Sequence, residues 1–140
     1  MNIEERQDEV IEEFSLYDDW MDRYQYLVEL GNALPEMPET DKTEQNLIEG
    51  CQSKVWLPAQ YNNGVMTYQG DSDAIIVKGI VSLLIKVLSG ATADEIIKSD
   101  LHFIDAIGLK EHLSPTRSNG LAAMVKQMRL YAIAYKAKNE

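Results

Sequence analysis

Between Asn2 and Tyr17 the apolar residues Ile3, Val10, Ile11, Phe14 and Tyr17 recur at helical spacing, with Glu4, Glu5, Asp8, Glu9, Glu12 and Glu13 between them. That pattern predicts an amphipathic helix with an acidic outer face. Asp18 or Asp19 can cap a second helix whose buried stripe would be Trp20, Met21, Tyr24, Leu27 and Val28, with Gly31 ending it in a left-handed conformation. Pro35 and Pro38 then break both periodicities as far as about Thr43. Two β-prone runs, Val55 to Tyr61 and Val65 to Gln69, flank Asn62-Asn63-Gly64, and Asn-Gly accepts the positive φ angles of a tight hairpin turn. Pro58 withholds a ladder donor, so the first run is expected at an edge or with a bulge. Ser72 and Asp73 offer caps to a helix from Ala74 to Ser89 that is apolar nearly all round, predicting a central buried helix closed by Gly90. Thr92-Ala93-Asp94-Glu95 has the capping-box pattern for a short helix through Lys98, and a further short segment, Phe103 to Ile107, leads to Gly108. Ser114 to Gly120 precedes a last helix carrying Leu121, Met124, Val125, Met128 and Tyr135 on one face. With no βαβ alternation, the fold class is α+β: helices packed against a small antiparallel sheet, in one unit spanning residues 1–140.

Charge narrows the choice of partners. The chain holds 13 Lys and Arg against 23 Asp and Glu, a formal net charge of -10, and residues 1–50 alone carry 15 acids and 3 bases. Such a balance argues against nucleic acid and anionic lipid as partners and would steer a basic one. The acidic start Met1-Asn2-Ile3-Glu4-Glu5-Arg6 has no apolar core of a signal peptide, and the stretch from Ala74 to Leu88 is cut by lysines and shorter than the roughly 20 residues that span a bilayer. No membrane attachment and a reducing, cytoplasmic location are therefore expected.

One cysteine, Cys51, excludes an intramolecular disulfide and any thiolate-rich metal or cluster scaffold within the chain. It lies in the polar run Glu49-Gly50-Cys51-Gln52-Ser53-Lys54, which suggests a loop tip turned by Gly50. Lys54 would favour the thiolate and Glu49 oppose it. Without a resolving thiol, dithiol redox chemistry is closed to the chain, whereas carriage of one sulfane sulfur needs a single thiol. A Cys-His hydrolase or acyltransferase using His102 or His112 as base and an inert packed cysteine in an interaction module also stay open. A metal set of Cys51, His102 and His112 lacks ligand spacing, so no metal is expected. Arg117, in the Ser/Pro/Gly-rich approach to the last helix, reads either as an anion or carboxylate receptor or as a solvated first-turn residue.

Several blocks resemble a known family. Asn46-Leu47-Ile48-Glu49-Gly50-Cys51-Gln52-Ser53-Lys54-Val55-Trp56, preceded by Leu34-Pro35, is similar to the SufE family of sulfur-acceptor proteins in iron-sulfur cluster assembly. Gly70-Asp71-Ser72-Asp73-Ala74 with Ile76-Val77-Lys78-Gly79, His112 to Ser118, and Asn119 to Met124 agree in family order. The resemblance implies an α+β fold like that of IscU scaffolds. It implies a protein that is no enzyme itself, that takes persulfide sulfur onto Cys51 from a SufS- or CsdA-type cysteine desulfurase, stimulates that enzyme and delivers sulfur to a SufBCD-type scaffold. Pyridoxal phosphate would belong to the desulfurase, with no cofactor in this chain. Gly50, Gln52 and Ser53 would support the thiol, which is expected to be shielded at rest and swung outward on docking. Arg117 and Ser118 are expected near Cys51, seating the loop or the partner.

Overall fold

The central element of the computed structural model, which describes residues 2–139, is an apolar helix on which the rest is assembled. Helix α1 (Ile3–Ser15) starts at a capping box in which the Asn2 side chain accepts from the Glu5 amide and the Glu5 carboxylate accepts from the Asn2 amide. Ile3, Gln7, Val10 and Phe14 form its buried face. Helix α2 (Trp20–Asn32) is capped by Asp19, whose carboxylate accepts from the Asp22 amide at 2.9 Å. Helix α3 (Ile75–Leu88) buries Val77, Gly79, Ile80, Val81, Leu83, Leu84, Val87 and Leu88, and it packs against α1, α2 and the last helix, which confirms its central place. Helices α4 (Ala93–Lys98) and α5 (Phe103–Ala106) are short, and α6 (Pro115–Lys138) crosses the molecule against α4 and α3. One hydrophobic cluster joins residues from Ile3 to Ala132.

The expected small sheet is present as two two-stranded antiparallel ladders. Strands β2 (Ala59–Asn62) and β3 (Val65–Tyr68) pair Asn62 with Val65 around Asn63 (φ 53) and Gly64 (φ 84), the tight turn foreseen from Asn-Gly. Pro58 splits the first β-prone run rather than bulging it: β1 (Val55–Trp56) leaves the hairpin and pairs with β4 (Asp71–Ser72).

Four local expectations are corrected. Gly31 does not end α2 with a left-handed residue; it sits inside the helix, where a Cβ would come within 2.9 Å of the Gly79 amide nitrogen, so its smallness serves the α2–α3 crossing. Met21 is not in the buried stripe but 77% exposed. Ser72 and Asp73 do not cap α3, which starts at Ile75 behind Ala74 with no side-chain cap; both bond Lys54, and the Ser72 hydroxyl also accepts from the Ala74 amide at 3.2 Å. The last helix begins well before Leu121, at Pro115 behind the Ser114 cap, so Thr116 to Gly120 are helical.

Candidate functional site

The segment around Cys51 is a loop closed at its base by backbone pairing. The Ile48 amide donates to the Val55 carbonyl at 2.9 Å, and the Leu57 amide to that of Asn46 at 2.9 Å. Gly50 turns the chain at φ 92, in the region that L side chains avoid, and a Cβ there would stand 3.2 Å from that of Ala123. On the far side of the thiol the loop is held by β4 and the residue that follows it. The Lys54 amide donates to the Asp73 carboxylate at 3.0 Å, the Ser72 hydroxyl donates to the Lys54 carbonyl at 2.8 Å, and the Asp73 amide donates to the same carbonyl at 3.2 Å.

Asp71 anchors this strand. It is only 7% exposed, lies 3.3 Å from Lys78 Nζ and 3.4 Å from Lys42 Nζ, and accepts from the Ser72 amide at 2.8 Å. Burial works against its charge, but the Ser72 amide and the two ammonium groups outweigh that and hold its carboxyl below the usual aspartate range. Lys42 also stands 5.5 Å from the centre of the Trp56 ring, joining the loop's base to the same charge cluster.

Cys51 is half-buried, and the polar neighbours in its own run do not describe its surroundings. Its thiol donates to the Gly120 carbonyl of α6, Sγ to O 3.6 Å, and a Cβ on Gly120 would lie 3.4 Å from Sγ. Removal from water pushes the thiol pKa up, so the resting side chain is the neutral thiol. Beside it opens a cleft of about 380 Å³ lined by Cys51, Gln52, Ser53, Val77, Ser114, Thr116, Arg117, Gly120 and Met124.

Of the residues singled out in the sequence, Gln52, Ser53 and Arg117 share this cleft with the thiol, and Gly50 makes the turn that delivers it. Ser118 is not in the lining: its hydroxyl donates to the Lys110 carbonyl at 3.3 Å, because one helical residue beyond Arg117 points to another face. Arg117 is exposed, and its own amide donates to the Ser114 cap at 3.3 Å. Both histidines are engaged elsewhere. His112 stacks on Trp20 with ring centres 4.0 Å apart, its Nδ1 2.9 Å from the Gly108 carbonyl, and His102 Nε2 lies 3.5 Å from Glu4. No histidine lines the cleft among the described residues. Sequence reasoning missed Val77 and Gly120 as its walls; the block Asn119-Gly120-Leu121-Ala122-Ala123-Met124 carried the signal, since two small residues one turn apart mark a close approach.

The family pattern of SufE, described as the Fe-S metabolism associated domain, matches residues 8–132. The chain belongs to the SufE family. An uncharacterized SufE-like protein of Rhizobium meliloti (strain 1021) is 42% identical over 127 residues, covering 87% of this chain and 91% of that one. A second, from Rhizobium etli, is 46% identical over 127 residues, covering 87% and 86%. The solution structure of a hypothetical protein from Thermus thermophilus superposes with a TM-score of 0.76 at 23% identity, over 96% of this chain and 97% of the other, and thereby shares the α+β fold. The SufE assignment places the protein in iron-sulfur metabolism. No helix is long and apolar enough to cross a membrane among the described residues.

Proposed function

We propose that this SufE-family protein is a sulfur carrier that accepts sulfane sulfur on Cys51 from a SufS- or CsdA-type cysteine desulfurase, stimulates that enzyme and hands the sulfur to a SufBCD-type scaffold. The observation that carries the reading is the seat of Cys51: one thiol, half-buried against α6, at the edge of an open cleft with Arg117 on its wall. In the transfer, the Cys51 thiolate attacks the outer sulfur of the partner's persulfide. The partner's S–S bond breaks, its thiolate leaves with the bonding electron pair, and Cys51 carries the new persulfide. No external oxidant or reductant is consumed, and the only cofactor in the scheme is the pyridoxal phosphate of the desulfurase.

The neutral resting thiol gives this carrier a division of labour. Held against the Gly120 carbonyl in a desolvated seat, the thiol is a poor nucleophile toward small disulfides and oxidants. Docking that draws the loop from α6 into a polar surface would lower its pKa and expose it together. Arg117 stands on the same wall, where a guanidinium can receive a thiolate, a persulfide or a partner carboxylate. A Cys-dependent hydrolase would need a base within hydrogen-bond reach, and both histidines hold other partners. A reducing, cytoplasmic compartment suits a carrier with one unpaired thiol.

The test is intact-mass spectrometry of the wild type and Cys51→Ser after incubation with a SufS-type desulfurase, pyridoxal phosphate and cysteine, with turnover followed in parallel. The expected result is a mass gain in steps of about 32 Da, one sulfur atom each, on the wild type alone, with faster turnover. Sulfur on neither protein and unchanged turnover with both SufS- and CsdA-type enzymes overturns the proposal.

A further inference from the structure

Away from the thiol, the structure draws together three side chains that no step of sulfur carriage uses. Glu4 and Asp8 stand one turn apart on α1, and His102 precedes α5; one ligand atom from each lies within 4.8 Å of the other two. None of the three lines the Cys51 cleft. We propose that Glu4, Asp8 and His102 form a surface site for a divalent first-row transition metal of the zinc class.

Donor chemistry sets the metal. Two carboxylates alone would suit calcium or magnesium weakly, but an imidazole added to them is a nitrogen-oxygen set preferred by Zn²⁺ and its neighbours in the series. Three protein ligands leave the remaining positions to water, the arrangement of an open site. Ligands at about 2.0–2.1 Å around a tetrahedral ion stand roughly 3.4 Å apart, so the present spread closes by little more than an ångström. Both carboxylates are exposed and His102 is only partly buried, so rotamer changes supply that closure without moving the backbone.

The backbone frame is already fixed, which separates this trio from acids that merely crowd a helix face. Gln7, one residue before Asp8 and 1% exposed, spans the gap between α1 and the segment that carries His102. Its Nε2 donates to the Asp100 carbonyl at 3.0 Å, and its Oε1 accepts from the Phe103 amide at 3.1 Å. One buried amide thus clamps the backbone on both sides of His102 and fixes where its side chain leaves the chain, beside Glu4 and Asp8. His102 Nε2 already stands 3.5 Å from Glu4 Oε1, a contact that a metal would replace by shared coordination. Chain-wide charge acts in the same direction, since the 15 acids of residues 1–50 attract cations to this end of the sequence.

The experiment uses the full chain, metal-free and untagged, in a Cys51→Ser background so that thiolate cannot bind the probe. Zn²⁺ is titrated calorimetrically, and Co²⁺ is followed by the paramagnetic broadening of the histidine ring signals. The expected result is saturable binding of one Zn²⁺, weakened at least tenfold in His102→Ala and severalfold in Glu4→Gln and Asp8→Asn, with Glu12→Gln unchanged. Co²⁺ should broaden the His102 ring at concentrations that leave His112 sharp. Circular dichroism establishes that each variant keeps its helices; should His102→Ala lose them, the Glu4→Gln titration and the ring signals of the parent decide. No saturable heat up to millimolar Zn²⁺, equal affinity in all four variants, or equal broadening of both rings overturns the site and leaves only diffuse attraction of cations to acidic surface.

Discussion

Two places in the molecule bring chain segments together through glycine, and they differ in what stands opposite. Where α2 crosses α3, a Cβ on Gly31 would meet the Gly79 backbone, and a Cβ on Gly79 would overlap the Leu27 carbonyl. Where the Cys51 loop meets α6, a Cβ on Gly50 would meet the Ala123 methyl at 3.2 Å, and one on Gly120 would meet Cys51 Sγ at 3.4 Å. Backbone against backbone cannot yield; at the thiol the approach to the Ala123 methyl is also tight, but the Cys51 Sγ opposite Gly120 stands at the edge of ordinary contact and belongs to a side chain that can turn away. The first approach fixes the frame, and the second is the seat that the loop leaves under the proposed carrier function. Close packing thus locks backbone to backbone in one region and half-buries a thiol in the other.

Gly79→Ala puts the contrast under the greatest strain. Its methyl has nowhere to go, so the α2–α3 crossing must open, and we expect a loss of about 3 kcal/mol or more by chemical denaturation. A loss below about 1 kcal/mol would show that the crossing yields as the Cys51 seat does. Next in size is Asp71→Asn, which leaves Lys42 and Lys78 without their shared carboxylate and loosens β4, against which the loop is tied. About 2 kcal/mol is expected at neutral pH. Because the folded-state carboxyl titrates below its unfolded value, this contribution is complete above about pH 4 and disappears as pH falls through the lower, folded value. Denaturation midpoints of wild type and variant should therefore converge in acid. A gap that widens below about pH 4 would mean that the carboxylate is not the stabilising form.

Legibility in the sequence follows the same division. The helices are readable because their periodicity and caps are local: Asp19 and the Thr92–Glu95 box each act within one turn. The Asn63-Gly64 turn is readable for the same reason. Gly31 reads as a helix end because a glycine that admits a neighbouring backbone looks, in one dimension, like a glycine that ends a helix. Ser72 and Asp73 read as caps because their partner, Lys54, is 18 or 19 residues earlier and nothing local announces it. At the site, residue type and family pattern point to Cys51, Gln52, Ser53 and Arg117. The seat itself is not legible, since Gly120 stands 69 residues from the thiol and Val77 comes from a third element. The grouping of Glu4, Asp8 and His102 stays invisible for a related reason, because Gln7, which ties the chain around His102 to α1, reads as one more polar position on an acidic helix.

The smallest change in stability, and the most informative about the thiol, is Gly120→Ala. Alanine in a helix interior is favoured over glycine by up to about 1 kcal/mol, and squeezing Sγ from 3.4 Å opposes that gain, so overall stability should move by less than about 1 kcal/mol. The thiol should respond far more than the fold. Displaced from its carbonyl partner toward the cleft, Cys51 regains water, and its alkylation rate near pH 7 should rise severalfold. The pH profile separates this cause from a general loosening. Burial raises the wild-type thiol's pKa, so its alkylation should rise through a midpoint above the value of about 8.5 for a free cysteine. The variant's midpoint should move down toward that value, while the limiting rate at high pH changes little. Unequal limiting rates with equal midpoints would mean that the seat acts by steric cover alone. Identical profiles in the two proteins would mean that Cys51 spends its reactive moments already free of α6, and the contrast between the fixed crossing and the yielding seat would then be larger than the resting geometry suggests.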